Sequence, residues 1–142
     1  MPYARPYKAA LDRLAQSGLR PTRQRVSLTH LLLGGEHRHV TAEQLHSEAL
    51  AGNIKVSLAT IYNTLHQLTS VGLLREVVVE AGRSYFDTNT SLHHHFFHEA
   101  SGHLTDVPGS AVVLEGLPPP PDGTRVSRVD VIIRLEDEPE DP

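Results

Sequence analysis

The chain has 142 residues, no cysteine and a formal net charge of −4. That length allows one medium domain or two small ones, and the missing thiols exclude disulfides, thiolate zinc sites and cysteine nucleophiles. No apolar run is long enough to span a membrane and the N-terminus lacks a charged-then-apolar export pattern, so a cytoplasmic chain with no membrane partner is expected.

The first half reads as helices. Tyr7 to Ser17 places Leu11 and Leu14 at helical spacing, with Gly18 as a stop. Pro21 and Thr22 open a second helix that runs through Leu33 and ends at Gly34-Gly35. Thr41 and Gln44 have capping-box spacing, so a third helix starts there, buries Leu45 and Ala49, and closes at Gly52-Asn53. Ser57 caps a fourth, with Leu58, Ile61, Leu65 and Leu68 on one stripe and Gly72 after it. Strand signals follow. Leu74 to Glu80 is rich in Val, Ala81-Gly82 is a turn, and Arg83 to Asp87 returns as the second arm of a hairpin. Helices followed by a two-stranded ribbon describe a winged helix. Beyond Asn89, His93 to Glu99 and Leu104 to Val107 read as short strands around Ser101-Gly102, and Ser110 to Leu117 as a short helix. Pro118 to Pro121 with Asp122-Gly123 forms a stiff connector. Val126 to Leu135 alternates as a final strand, and Glu136 to Pro142 is an acidic tail expected to be disordered.

The expected class is therefore α+β. Residues 1–88 make a winged helix-turn-helix unit, 89–136 a small α/β unit, and 137–142 the tail.

Charge supports that division. Residues 1–75 carry nine Lys/Arg and four acids, net +5, whereas residues 76–142 carry four Arg and thirteen acids, net −9. A basic first half joined to an acidic second half points to a polyanion partner for the first half alone. In a helix-turn-helix the second helix lies in a major groove with its N-terminal residues towards base edges. Here that end offers Ser57, Thr60 and Asn63 for hydrogen bonds, and Tyr62 for stacking or contact with a thymine methyl. Lys55 suits a phosphate. Arg20, Arg23 and Arg25 suit the DNA backbone or the minor groove.

The densest chemistry lies at His93-His94-His95, with His98 close behind and Asp87 six residues before. Imidazole is the commonest neutral metal ligand. On a strand His93 and His95 share a face and His94 takes the other, so two nitrogens at i and i+2 can share an ion, with Asp87 adding an oxygen. Such donors suit Fe(II), Mn(II), Zn(II) or Ni(II). The plainer alternative is a solvated polar strand. His30, His46, His66 and His37 are read as surface or half-buried residues, not ligands.

The stretch Ser57 to Leu65, SLATIYNTL, together with HHHFFHE from His93, closely resembles the Fur superfamily of metal-responsive repressors, from about Leu19 to Leu135. VSLATIYNTLHQLT, YFDTN followed by HHHFF, and VDVIIRL look most like its Irr branch of iron-response regulators. The resemblance implies that residues 1–88 are a DNA-binding domain with its hinge and residues 89–136 a dimerisation and metal-sensing domain. It also implies that the protein is a homodimer on a double-stranded operator, and that a regulatory metal site lies at the hinge, with His39, Asp87, His93, His95 and Asp106 in the matching positions. His39 belongs to the DNA-binding half, so an ion there ties the two halves together.

Departures from the family pattern are equally specific. The usual Cys-x-x-Cys of a structural zinc is His98 and Ser101 here. A second family site takes His94, a later acid such as Glu115, and a His in the last strand. That last position is Val129, and the one before the run is Leu92, so the site needs His98 or His103 as a substitute. The Cys-Pro haem motif of some Irr proteins is missing, so haem, if it binds, uses histidine within His93 to His95. The expected function is a DNA-binding regulator of iron or haem homeostasis under metal or haem control, and not an enzyme. The rivals are a non-haem metalloenzyme using the same His/Asp cluster, and an interaction module with incidental histidines.

Overall fold

The computed structural model describes residues 7–140; Asp141 and Pro142 of the acidic tail, and residues 1–6 of the N-terminal domain, lie outside the described residues. The chain forms two compact units that divide between Thr90 and Ser91.

The first unit is a winged helix. Helices α1 (Lys8–Gln16), α2 (Arg23–Leu33), α3 (Ala42–Ala51) and α4 (Leu58–Ser70) enclose one apolar core with Leu14, Val26, Leu28, Leu32, Leu45, Ile61, Leu65 and Leu68 fully buried. Each of the last three helices starts where a short polar side chain replaces the missing intrahelical partner of an early N–H. Thr22 Oγ1 accepts from Arg25 N–H, and Ser57 Oγ accepts from Thr60 N–H. At Thr41 the box is reciprocal: the Gln44 N–H donates to Thr41 Oγ1, and the Thr41 N–H donates to Gln44 Oε1. After α4 the chain turns at Gly72, whose φ of +82° is open to glycine at little cost.

The ribbon is β2 (Arg75–Glu80) against β3 (Arg83–Asp87), antiparallel, with a register shift between Val78 and Glu80. A third strand, β1 (His39–Val40), pairs with the far edge of β3 and gives the order β1-β3-β2. Two residues are too few to show alternation, so β1 left no periodic trace in the sequence. Its register nonetheless matters, since it sets His39 opposite Asp87 and Val40 opposite Phe86. Phe86 and Val40 join the helical core, while Arg75, Val77, Val79, Tyr85 and Asp87 are also buried.

The second unit is a three-stranded sheet in the order β5-β4-β6. Strand β4 (His93–His98) pairs antiparallel with β5 (His103–Pro108) and parallel with β6 (Ile132–Leu135). Phe97, Leu104 and Val107 are its buried apolar residues, and the Arg134 guanidinium lies 5.8 Å from the Phe97 ring centre. A parallel pair needs a crossover, and the segment between β5 and β6 supplies it.

Two expectations fail in that crossover. The helix expected at Ser110 to Leu117 is only a single 3-10 turn, Gly109–Ala111, and among the described residues this unit holds no α-helix. Val112 and Val113 are poor helix formers, Gly116 sits at φ +72°, and Pro118 pushes the residue before it out of the helical region. The final strand is also shorter than Val126 to Leu135. Ladder pairing to β4 begins at Ile132, because the N–H of Val131 donates to the imidazole Nδ1 of His94 (3.1 Å), not to a backbone carbonyl. Residues 136–140 are exposed and carry no regular structure.

Thr41→Ala removes the side-chain arm of the reciprocal cap, the acceptor of the Gln44 N–H, and keeps the backbone N–H that donates to Gln44. Chemical denaturation should show a loss of about 1 kcal/mol; an unchanged midpoint would mean that α3 is held by packing alone.

Candidate functional sites

Each unit carries a group of imidazole and carboxylate side chains. In the first, the β1–β3 register places His39 beside Asp87, and His39 Nε2 lies 3.3 Å from Asp87 Oδ2. Asp87 is fully buried, and its other oxygen accepts the Asn89 N–H at 2.9 Å. Burial of a carboxylate is expensive unless hydrogen bonds or a cation compensate it.

In the second unit, His93 and His95 lie two apart on β4 and so share a face, with ring centres 4.6 Å apart. Asp106 on β5 is the register partner of His95. One oxygen, Asp106 Oδ1, lies 3.3 Å from His93 Nε2 and 3.5 Å from His95 Nε2. Both histidines are buried, whereas Asp106 is 45% exposed.

The partner of the other His93 nitrogen decides what this arrangement needs. His93 Nδ1 is 2.7 Å from the carbonyl oxygen of Ser91. A carbonyl only accepts, so Nδ1 must carry the proton and donate it. In the neutral ring Nε2 then carries a lone pair, and it lies 3.3 Å from a carboxylate oxygen that is also an acceptor only. Two acceptors at that distance require a cation between or beside them, either a second ring proton or a metal ion. A carbonyl that accepts from Nδ1–H is also the usual way a metal-ligating imidazole is oriented. The donor set fits Mn(II), Fe(II) or Zn(II), all of which accept imidazole nitrogen and carboxylate oxygen.

The remaining sequence candidates fall out differently. His94 is buried on the opposite face of β4 and accepts from Val131, as described. His98 and His103 are cross-strand partners with ring centres 6.4 Å apart. Glu115 is exposed in the crossover. Among the described residues, His94, His98, His103 and Glu115 belong to no group of three or more ligand side chains, so the structure does not bring that second set together. Of the two phenylalanines after the run, Phe97 is buried and Phe96 half-buried.

On the helical face, Arg20, Arg23, Lys55 and Asn63 are exposed. Arg25 is engaged within the fold, donating to the Arg20 carbonyl (2.5 Å) and to Gln67 Oε1 on α4 (2.8 Å), so it braces α2 against α4. Ser57 is partly spent too. It caps α4, and its hydroxyl donates to Thr60 Oγ1 at 3.0 Å. Tyr62, 37% exposed, donates its hydroxyl to Glu43 Oε1 on α3 at 2.8 Å. Sequence reasoning missed Glu43 and the Ser91 carbonyl. The first is a contact across nineteen residues, and the second is a backbone group that no motif records.

The winged helix, the basic helical surface and the imidazole–carboxylate groups together describe a class of small two-unit proteins with a nucleic-acid-reading fold and transition-metal donors. Residues 16–113 match the model of the Ferric uptake regulator family, and the chain belongs to that family. It is 33% identical over 93 residues to the peroxide-responsive repressor PerR of Staphylococcus aureus, covering 66% of this chain and 62% of that relative. The aligned part of the chain thus spans less than two thirds of that curated relative's length. Among solved structures it resembles the ferric uptake regulator of Pseudomonas aeruginosa with manganese, at TM-score 0.70 and 21% identity, covering 92% of this chain and 98% of that one. The ferric uptake regulator of Francisella tularensis with iron superposes at TM-score 0.67 and 16% identity, covering 85% and 93%. At these identities the superpositions establish the fold, an α+β winged helix followed by a smaller β-rich unit.

The hydrogen bond to the Glu43 carboxylate raises the Tyr62 phenol above its ordinary value of 10.0, with burial and the negative charge of Glu43 adding to it. A phenol whose folded value is raised contributes stability below the unfolded value and loses it as pH rises through the folded one. Ultraviolet difference titration against Tyr62→Phe should therefore show Tyr62 ionising above pH 10.0. Glu43→Gln should bring it back down; a Tyr62 curve insensitive to that substitution would show that the pair does not persist in solution.

Proposed function

We propose that this chain is a metal-responsive, sequence-specific DNA-binding transcriptional regulator of iron or related metal homeostasis, acting as a homodimer on a double-stranded operator. The observation that carries the reading is that one carboxylate oxygen, Asp106 Oδ1, lies 3.3 Å from His93 Nε2 and 3.5 Å from His95 Nε2 in a chain of the Ferric uptake regulator family. His93, His95 and Asp106 supply three donors, and His39 with Asp87 supplies two. Neither set alone completes the four to six positions that such ions take. The proposed metal donors are therefore all five residues, as the family pattern implies. When bound, the ion supplies the positive charge that these acceptors need. The residues do the rest: Ser91 holds the His93 tautomer, Asn89 orients Asp87, and Asp106 spans both histidines.

DNA contact is assigned to the N-terminal end of α4 and the basic residues near it. Lys55, Arg20 and Arg23 provide phosphate attraction, and Asn63 and Tyr62 face base edges, with Ser57 and Thr60 contributing at the cap. Arg25 acts on DNA mainly through the position it gives α2. Metal occupancy changes DNA affinity only as far as the ion binds the DNA-competent arrangement differently from the other. The Irr-like reading, in which haem is the signal, places the haem iron on His93 to His95, and the same assay distinguishes it. An enzymatic reading needs an open coordination position and a substrate pocket; five protein donors suit a sensing site better. No helix among the described residues is long and apolar enough to cross a membrane.

Fluorescence anisotropy on a duplex selected from a random pool tests this. Removing metal with a chelator, or adding haem, should shift affinity by roughly 5- to 150-fold, the range of ordinary allosteric coupling. Affinity indifferent to Mn(II), Fe(II), Zn(II), chelator and haem would overturn the proposal. His93→Ala and His95→Ala should each weaken metal binding by at least about tenfold, since even loss of an outer partner of a metal ligand costs that much. Calorimetry reads this directly, and full retention in both variants would move the site elsewhere.

A further inference from the structure

The small sheet of the first unit buries a cation that the reading above leaves unused. Arg75 opens β2 and is only 5% exposed. Its register partner across the ribbon is Asp87, and the partner of Asp87 on the far side is His39. Residues directly opposite one another on antiparallel strands point to the same face, with Cβ atoms about 4.5–5.5 Å apart. Arginine, aspartate and histidine therefore form one row across β2, β3 and β1. Asp87 in the middle is fully buried. Arginine and aspartate are almost never buried deeply unless paired, and a guanidinium keeps its charge at any pH a protein tolerates.

We propose that Arg75 is a positioning residue for Asp87 that also restrains metal affinity, an inference that rests on the metal reading of His39 and Asp87. Without a divalent ion, the fixed charge of Arg75 compensates the buried Asp87 carboxylate and holds it in place on the sheet. With the ion bound to Asp87, two cations share one carboxylate in a poorly solvated setting, where their repulsion is least screened. Arg75 thus stabilises the metal-free chain and opposes the loaded one. The five donors alone would hold the ion more tightly than a site that must release it for signalling.

The test uses the full chain with Mn(II) or Zn(II) alone as the probe, and two readouts. One is affinity by competition with a chromophoric chelator, and the other is thermal melting with and without metal. Arg75→Gln should bind metal at least about tenfold more tightly, the order expected for removing one near charge. Its metal-free form should melt lower, so the gap between loaded and metal-free melting widens. Arg75→Lys keeps the charge and should stay close to the unsubstituted chain in affinity. A merely structural arginine predicts something different: loaded and metal-free forms both melt lower by the same amount, with affinity unchanged. That result, or weaker binding in Arg75→Gln, overturns the inference. If Arg75→Gln is unfolded without metal, the rate at which its Mn(II)-loaded form gives up the ion to excess chelator decides: slower release than from the unsubstituted chain supports the inference, and equal or faster release, or no folding with Mn(II), overturns it. An unsubstituted chain that binds neither metal overturns the metal site itself, whereas one that binds while Arg75→Gln changes nothing overturns only the role of Arg75.

Discussion

One carboxylate oxygen, held 3.3 Å from His93 Nε2 and 3.5 Å from His95 Nε2, is the constraint around which the polar face of the second unit is arranged. The Ser91 carbonyl takes the only proton of the neutral ring, and strand alternation brings His95 to the same carboxylate. The sheet supports this geometry from both sides of β4. On one edge the β4–β5 register sets Asp106 opposite His95; on the other, His94 takes the Val131 N–H where β6 joins. Three consecutive histidines thus perform two unlike tasks, two as a paired donor face and one as a structural acceptor.

The first unit repeats the same physical theme with different parts. A buried carboxylate must be compensated, and Asp87 sits in a cross-strand row between His39 and Arg75, with a backbone N–H on its second oxygen. The two-residue strand β1 gives Val40 to the core and delivers an imidazole to that carboxylate. The hydrophobic core and the donor group share strands without competing, because alternate residues of β3 and β1 serve them. Phe86 and Val40 go to the helices, Asp87 and His39 to the polar row.

The helical face shows how local satisfaction edits a list of contact residues. A side chain already bonded within the fold offers less to a ligand than an exposed one, since rearrangement costs the bond it leaves. Arg25 braces two helices, Ser57 and Thr60 complete a cap, and Tyr62 leans on Glu43. Arg20, Arg23, Lys55 and Asn63 remain exposed to solvent. In the proposed reading, electrostatic attraction to DNA comes from these exposed residues at the flanks of α4, and orientation from its braced centre.

The linear sequence by itself determined the elements whose signals are local. Caps at Thr22, Thr41 and Ser57, the apolar stripe of α4, and the hairpin turn at Ala81-Gly82 all lie within one or two turns of chain, where propensity and periodicity act directly. Alternation alone placed His93 and His95 on one face. The crossover misled because a local helical pattern meets Gly116 and Pro118, and because the Val131 N–H goes to a histidine side chain while only its carbonyl pairs with β4. What only the tertiary structure decided were the pairings across the chain: β1 against β3, Arg75 against Asp87, Asp106 against two imidazoles, and Tyr62 against Glu43. Such contacts depend on strand register and helix packing, which no short window of sequence encodes, because their energies exist only once distant segments have been brought together.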